Sequence, residues 1–246
     1  MSKLTILYYH EVVPNGEGAS YQKIEEKKFE EQMKYLADNG YTSMFFSELS
    51  NKLPKKPVII SFDDGFKSVY QKAYPIMQKY GIKGNVYLPT AYVGEDEHFM
   101  TWEEVKDLTE NGFEMQAHTH NHVDVRTLNN KTIDAQTKKV NEILKEHLDF
   151  TPNAVCLPFG TYDKKSIKLL KKEGSYKYIL GSFYGRVGKS KLKKGGLMPR
   201  IGISNADSIE VFAKKLKGKF SWKGPLQRLR LKISSLKGQR VEKYDF

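Results

Sequence analysis

Val58-Ile59-Ile60-Ser61-Phe62-Asp63-Asp64-Gly65 passes from an apolar run straight into two adjacent carboxylates and a glycine. A short run of that kind, closed by turn chemistry, reads as a buried strand with Asp63 and Asp64 at its carboxyl end. Phe113-Glu114-Met115-Gln116-Ala117 repeats the pattern and leads into His118-Thr119-His120-Asn121-His122, which sets two imidazoles four residues apart. Two buried strands that both end in polar, metal-competent side chains point to an α/β barrel, the architecture that houses its chemistry on the carboxyl rim of the strands.

Working outward, strand-like runs recur at residues 4–9, 41–45, 58–62, 85–88, 113–117, 154–157, 178–181 and 200–203. Between them lie amphipathic helical stretches, for example Phe29, Met33 and Leu36 on one face and Ile133, Val140, Leu144 and Leu148 on another. Strand and helix in alternation imply a parallel sheet. At 246 residues the chain is long enough for such a barrel as one unit. The expectation is therefore an α/β fold, a distorted (β/α) barrel of about seven to eight parallel strands in a single domain, over residues 1–216.

The remaining stretch, 217–246, differs in composition. Lys and Arg outnumber Asp and Glu there nine to two, while Trp222, Leu226, Leu229, Ile233 and Leu236 recur at helical spacing. That describes a basic amphipathic C-terminal tail, either packed on the barrel through its apolar stripe or laid on an anionic membrane surface. Over the whole chain 41 Lys and Arg face 29 Asp and Glu, for a net charge of +12. Such an excess favours anionic partners unless it is only a solvated basic face. Nucleic acid is not expected, since no nucleic-acid-binding motif accompanies the charge.

Cys156 is the one cysteine, so no intrachain disulfide forms, and its place in an apolar strand makes it a small core residue. No run approaches the ~18 apolar residues of a membrane span, and the amino terminus has no secretory pattern. The expected location is cytoplasmic or membrane-peripheral, or extracellular if a leader has been lost.

His118 and His122 sit on a helix turn or on a strand-end loop, and in either case their nitrogens suit Zn²⁺, with Co, Ni or Mn as alternatives. A third ligand is needed. Asp63 and Asp64 are consecutive on a strand end and point in different directions, so one can bind the ion while the other stays free as a base. Two imidazoles and one carboxylate leave positions open for water and substrate, the mark of a catalytic ion. His120 replaces one of its neighbours or supports them from behind.

Ser61-Phe62-Asp63-Asp64-Gly65 and His118-Thr119-His120-Asn121-His122 resemble, in this order, the first two motifs of the polysaccharide deacetylases of carbohydrate esterase family four, with their NodB-like homology domain. The resemblance covers roughly residues 4–203. It implies that Asp63 is the general base and that Asp64, His118 and His122 hold a divalent metal. Leu7-Tyr8-Tyr9-His10, Phe66 after Asp-Asp-Gly, and Leu157-Pro158-Phe159-Gly160-Thr161-Tyr162-Asp163 are similar to the branch that de-N-acetylates poly-β-1,6-N-acetylglucosamine. In that branch the catalytic acid comes from the first strand, which implies His10.

The family's third motif carries an Arg where Cys156 stands and a Tyr where Phe159 stands. An Arg for the base must come from elsewhere, and Arg200 is the candidate, as a buried guanidinium that keeps Asp63 ionised. The Phe159 main-chain N–H can still donate to an oxyanion. The expected activity is a metal-dependent de-N-acetylase acting on N-acetylglucosamine residues of a surface polysaccharide, with Trp102, Tyr92 and Phe159 available to stack on sugar rings. The alternatives are a deacetylase of a lipid-linked sugar at the inner membrane leaflet and a catalytically silent glycan-binding barrel.

Overall fold

Strands in chain order are β1 (Thr5–Tyr9), β2 (Glu11–Val13), β3 (Lys23–Glu25), β4 (Thr42–Ser43), β5 (Pro57–Phe62), β6 (Gly84–Leu88), β7 (Phe113–Ala117), β8 (Ala154–Cys156), β9 (Tyr178–Leu180), β10 (Gly196–Met198) and β11 (Ile201–Gly202). This computed structural model describes residues 2–18, 20–50, 52–172, 174 and 176–236, the last five by their backbone alone. Nine of the strands form one sheet in the order β10-β9-β8-β7-β6-β5-β1-β11, with β4 against the amino end of β5. Every pairing in it is parallel. A small parallel pair, β2 with β3, stands apart.

The two ends of that order meet through the chain itself. Only Pro199 and Arg200 separate β10, which pairs with β9, from β11, which pairs with β1. The stretch 196–202 is thus one bent strand whose halves serve opposite edges, and it draws the sheet round into the distorted α/β barrel that the strand count implies. Proline has no N–H for a ladder, which suits it to the bend. β10 was not anticipated, because Gly195-Gly196 interrupts the apolar pattern that marks the other strands.

Side-chain alternation sorts the core into two layers. Val58, Ile60 and Phe62 of β5 pack with Leu7, Tyr9, Val86 and Met115 against helix residues such as Phe29, Met33 and Leu108. Ile59 faces the other way, into the barrel interior, with Leu4 just before β1 and Ile6 of β1, Tyr87 of β6, Ala154 and Cys156 of β8, and Met198 of β10. Carried one step further up each strand, the same period of two puts Tyr8, Asp63, His118 and Arg200 at the top of that interior. Register alone therefore assembles most of a polar site.

At the carboxyl end of the chain, the helix Lys223–Leu236 docks by a face other than its apolar stripe. Gly224 lies so close to Tyr184 that a Cβ would sit 2.1 Å from its carbonyl oxygen, and the Gln227 side chain accepts a 2.7 Å hydrogen bond from the Tyr184 N–H. Trp222, Leu226 and Leu229 stay 64%, 54% and 54% exposed, so this part of the stripe does not pack on the barrel. The close fit of a glycine and an amide decides the docking face instead. Residues 237–246 of the expected tail, and the side chains of Ile233 and Leu236, lie outside the described residues. Among those described, no helix is long and apolar enough to cross a membrane.

The layer between sheet and helices centres on three buried rings, with Phe29 of the helix Glu26–Asp38 5.2 Å from Tyr9 and 5.8 Å from Phe62. Phe29→Ala is expected to cost about 3–5 kcal/mol. Urea unfolding checks this: the midpoint should fall with the slope unchanged.

Candidate active site

Asp63 continues the β5 ladder, its N–H donating to Tyr9 O at 3.0 Å, and so its carboxylate enters the barrel interior. Arg200 meets it there in a bidentate pair, Nη1 to Oδ1 at 2.6 Å and Nη2 to Oδ2 at 2.8 Å. The guanidinium is held between two aromatic faces, 4.5 Å from the Tyr8 ring centre and 5.3 Å from that of Tyr87. Burial alone would raise the Asp63 carboxyl, but the charge and hydrogen bonds of Arg200 outweigh it and keep the group below the usual carboxylate range. Asp63 is therefore an ionised acid committed to a cation, with no bond to the neighbouring histidines.

Asp64 would point outward by strand parity. A left-handed turn reverses this, with φ of 73° at Asp64 and 72° at Gly65, and returns the Asp64 carboxylate to the rim. Glycine is needed at 65, since a Cβ there would lie 2.7 Å from Leu88 Cδ2. His118 directly follows β7, while Thr119 and His122 are also left-handed, at φ of 58° and 48°, so the histidine string is a tight strand-end loop and not a helix turn. It brings His118 Nε2 to 3.1 Å and His122 Nε2 to 3.4 Å from Asp64 Oδ1.

These three atoms have the chemistry of a cation site. His118 Nδ1 lies 3.0 Å from the Cys156 carbonyl, so Nδ1 carries a proton and donates it, and Nε2 is the atom that faces Asp64, where a cation would take the place of a second proton. Lone pairs and a carboxylate oxygen converge on one point, and that oxygen is buried without a hydrogen-bond partner. Only a proton or a metal ion resolves such a contact. Burial and the adjacent His118 push the His122 imidazole down to about 3, so it is neutral and its lone pair is free to bind a cation. Asp64, although burial would raise it, is held well below the usual range by His118, His10 and His122. All three side chains fit a borderline divalent ion such as Zn²⁺.

Asp63, His118 and Cys156 also lie close enough together to suggest a second cation cluster. Burial raises the Cys156 thiol, and it accepts a 2.8 Å hydrogen bond from Arg200 Nη2, so it is a neutral thiol already engaged. Its small side chain leaves the room that the Arg200 guanidinium occupies. Composition gave no hint of that pairing, since it depends on the bent strand across the barrel seam.

His10 stands on the rim with Nε2 3.9 Å from Asp64 Oδ2. Phe159 turns out of its loop in a left-handed conformation, φ 58°, with its ring edge-on to His122 at 4.7 Å. His120 faces away from the ligands and pairs its Nδ1 with Thr90 Oγ1 at 2.9 Å. Trp102 stacks on His147 and Tyr92 on Phe99; neither lines the cavity, which corrects their expected role as sugar platforms. Asp124 escaped the sequence reading: it accepts from Thr161 Oγ1 at 2.8 Å and so ties the histidine loop to the Phe159 loop. The rim opens into a cavity of about 450 Å³ whose walls include His10, Asp63, Asp64, His118, His122 and Phe159.

A family model described as polysaccharide deacetylase matches residues 50–178. The Bacillus subtilis protein YxkH, whose name places it among the polysaccharide deacetylases, is 31% identical over 179 residues, covering 70% of this chain and 62% of its own. A poly-β-1,6-N-acetyl-D-glucosamine N-deacetylase of Staphylococcus aureus is 27% identical over 172 residues, 61% of this chain and 58% of that protein. This chain thus spans about six tenths of the length of these curated relatives. Among solved structures, a polysaccharide deacetylase from Bacillus cereus superposes with a TM-score of 0.78 at 26% identity, covering 87% of this chain and 69% of that one.

Calorimetric titration of the chelator-treated protein with Zn²⁺ tests the ligand set. About one ion per chain is expected, with Asp64→Ala and His122→Ala weakening binding by more than ~100-fold, beyond what loss of a supporting residue costs. Asp63→Asn should retain the site.

Proposed function

Because the chain belongs to the polysaccharide deacetylase family, we propose that it is a metal-dependent de-N-acetylase that releases acetate from N-acetylglucosamine residues of a glycan. The observation that carries this reading is the division of labour between consecutive carboxylates: Asp64 faces two imidazoles, while Asp63 is held ionised by Arg200 beside them. A binding module has no chemical need for that spare base. The Staphylococcus aureus relative, named for poly-β-1,6-N-acetyl-D-glucosamine, supports a β-1,6-linked substrate of the same kind.

Asp64, His118 and His122 would hold the ion. A divalent cation there supplies Lewis acidity, favouring hydroxide over water and polarising the acetamide carbonyl. Asp63 takes the proton of the attacking water, and Arg200 keeps it anionic for that step. The Phe159 N–H, presented by its left-handed turn, donates to the carbonyl oxygen as negative charge gathers on it. His10 gives a proton to the departing amine nitrogen, so that acetate and a free amino sugar result. The cavity walls position the sugar and limit the water that competes for these groups.

Acetate release from β-1,6-linked N-acetylglucosamine oligomers tests the reading. Asp63→Asn should lower kcat by about 10²- to 10⁴-fold, the usual worth of a general base, without loss of the bound ion. Chelation should abolish release and added Zn²⁺ restore it. Unchanged activity in Asp63→Asn would remove the proposed base and with it the mechanism.

A further inference from the structure

Next to the catalytic cavity lies a second one of about 360 Å³, and Tyr8, Tyr21 and Ser182 line both. The dividing wall is a hydroxyl pair, Tyr8 and Tyr21 at 2.7 Å. On its far side the second cavity is bounded by the rings of Tyr184 and Phe220, the Ser204 hydroxyl, the Gln227 amide and three cations. Apolar ring faces mixed with a few hydroxyl and amide groups are what a sugar ring needs from its site. Phe220, Lys223 and Gln227 belong to the carboxyl-terminal segment, well outside the residues that match the family.

The charges of these cations are not equally compensated. Arg200 is neutralised by Asp63 at 2.6 Å, and Lys215 by Asp207 at 2.6 Å. Lys223 has no carboxylate against it among the described residues. Its ammonium instead lies over three rings, 4.9 Å from the centre of Phe220, 5.6 Å from Trp222 and 6.0 Å from Tyr184. Aromatic faces hold a cation in place without cancelling its charge. The wall therefore keeps a net positive charge in the cavity that adjoins the catalytic one.

We propose that this second cavity is the subsite for the sugar next to the one being deacetylated, and that Lys223 closes it to a neighbour that already carries a free ammonium. The inference rests on the deacetylase reading. An acetylated neighbour is neutral and enters; a deacetylated one meets a like charge. Acetyl groups are then removed at spaced positions along a polymer, and runs of adjacent free amines form slowly.

The test digests a fully acetylated β-1,6-linked N-acetylglucosamine pentamer with Zn²⁺-loaded wild type and Lys223→Gln, and compares products at equal acetate release by tandem mass spectrometry. Adjacent free amines should be about tenfold rarer with wild type, the scale of repulsion between like charges several ångströms apart near a protein surface. The same frequency of adjacent amines from both proteins overturns the assignment. Absence of acetate from every oligomer overturns the deacetylase reading and the subsite with it, and so is told apart from failure of the subsite alone.

Discussion

The buried pair of Arg200 and Asp63 is the contact on which both barrel and site depend. Asp63 directly follows β5, whose neighbours in the sheet are β6 and β1, while Arg200 sits in the bend that joins β10 to β11 across the seam. Burying two charges costs several kcal/mol each, and a single hydrogen bond would not offset that. Here two short parallel bonds, two aromatic faces and a thiol share the task. One arrangement thus ties the bent strand to the end of β5 and leaves a carboxylate ionised where low dielectric would otherwise protonate it. Replacing the pair with apolar side chains would serve stability as well or better, so its presence speaks for chemistry.

Strain points to the same place. Five residues other than glycine have positive φ among the described residues, and four of them, Asp64, Thr119, His122 and Phe159, surround the convergence point. Each left-handed residue costs of order 1–3 kcal/mol and persists only where its surroundings over-determine it. For Asp64 the reason is geometric: Asp63 and Asp64 cannot both face the interior from a regular strand, and the reversed turn is what places both there. Asp124 supports the opposite side by joining the histidine loop to the Phe159 loop through Thr161.

Legibility followed the range of the interaction. Short continuous apolar runs announced the barrel strands, because a buried strand writes its environment into consecutive residues. Asp63, Asp64, His118 and His122 were legible for the same reason, as each pair lies within five residues. Arg200 could be named as a candidate partner, but its path to Asp63 runs through a bent strand whose first half is hidden by two glycines. The second cavity had no local signature, since its walls come from residues as far apart as Tyr8 and Gln227. Trp102 and Tyr92 misled because an aromatic residue near a rim looks alike in sequence whether it meets substrate or another ring.

The carboxyl-terminal helix shows why bulk charge is a poor guide to mechanism. A net charge of +12 suggests attraction to anionic polymers, yet the proposed reaction adds a positive charge to the glycan at each turnover. At physiological salt such repulsion is screened within about 8 Å, so the distant lysines contribute little to what the substrate feels. A cation built into the cavity wall is screened far less. Lys223, held over three rings in the wall of the cavity that Tyr8 and Tyr21 also line, is a cation of that kind, whereas the exposed arginines of the same helix are not. The electrostatics that the substrate meets are therefore set by a helix docked through one glycine and one amide, and the surrounding basic surface governs solubility and encounter instead.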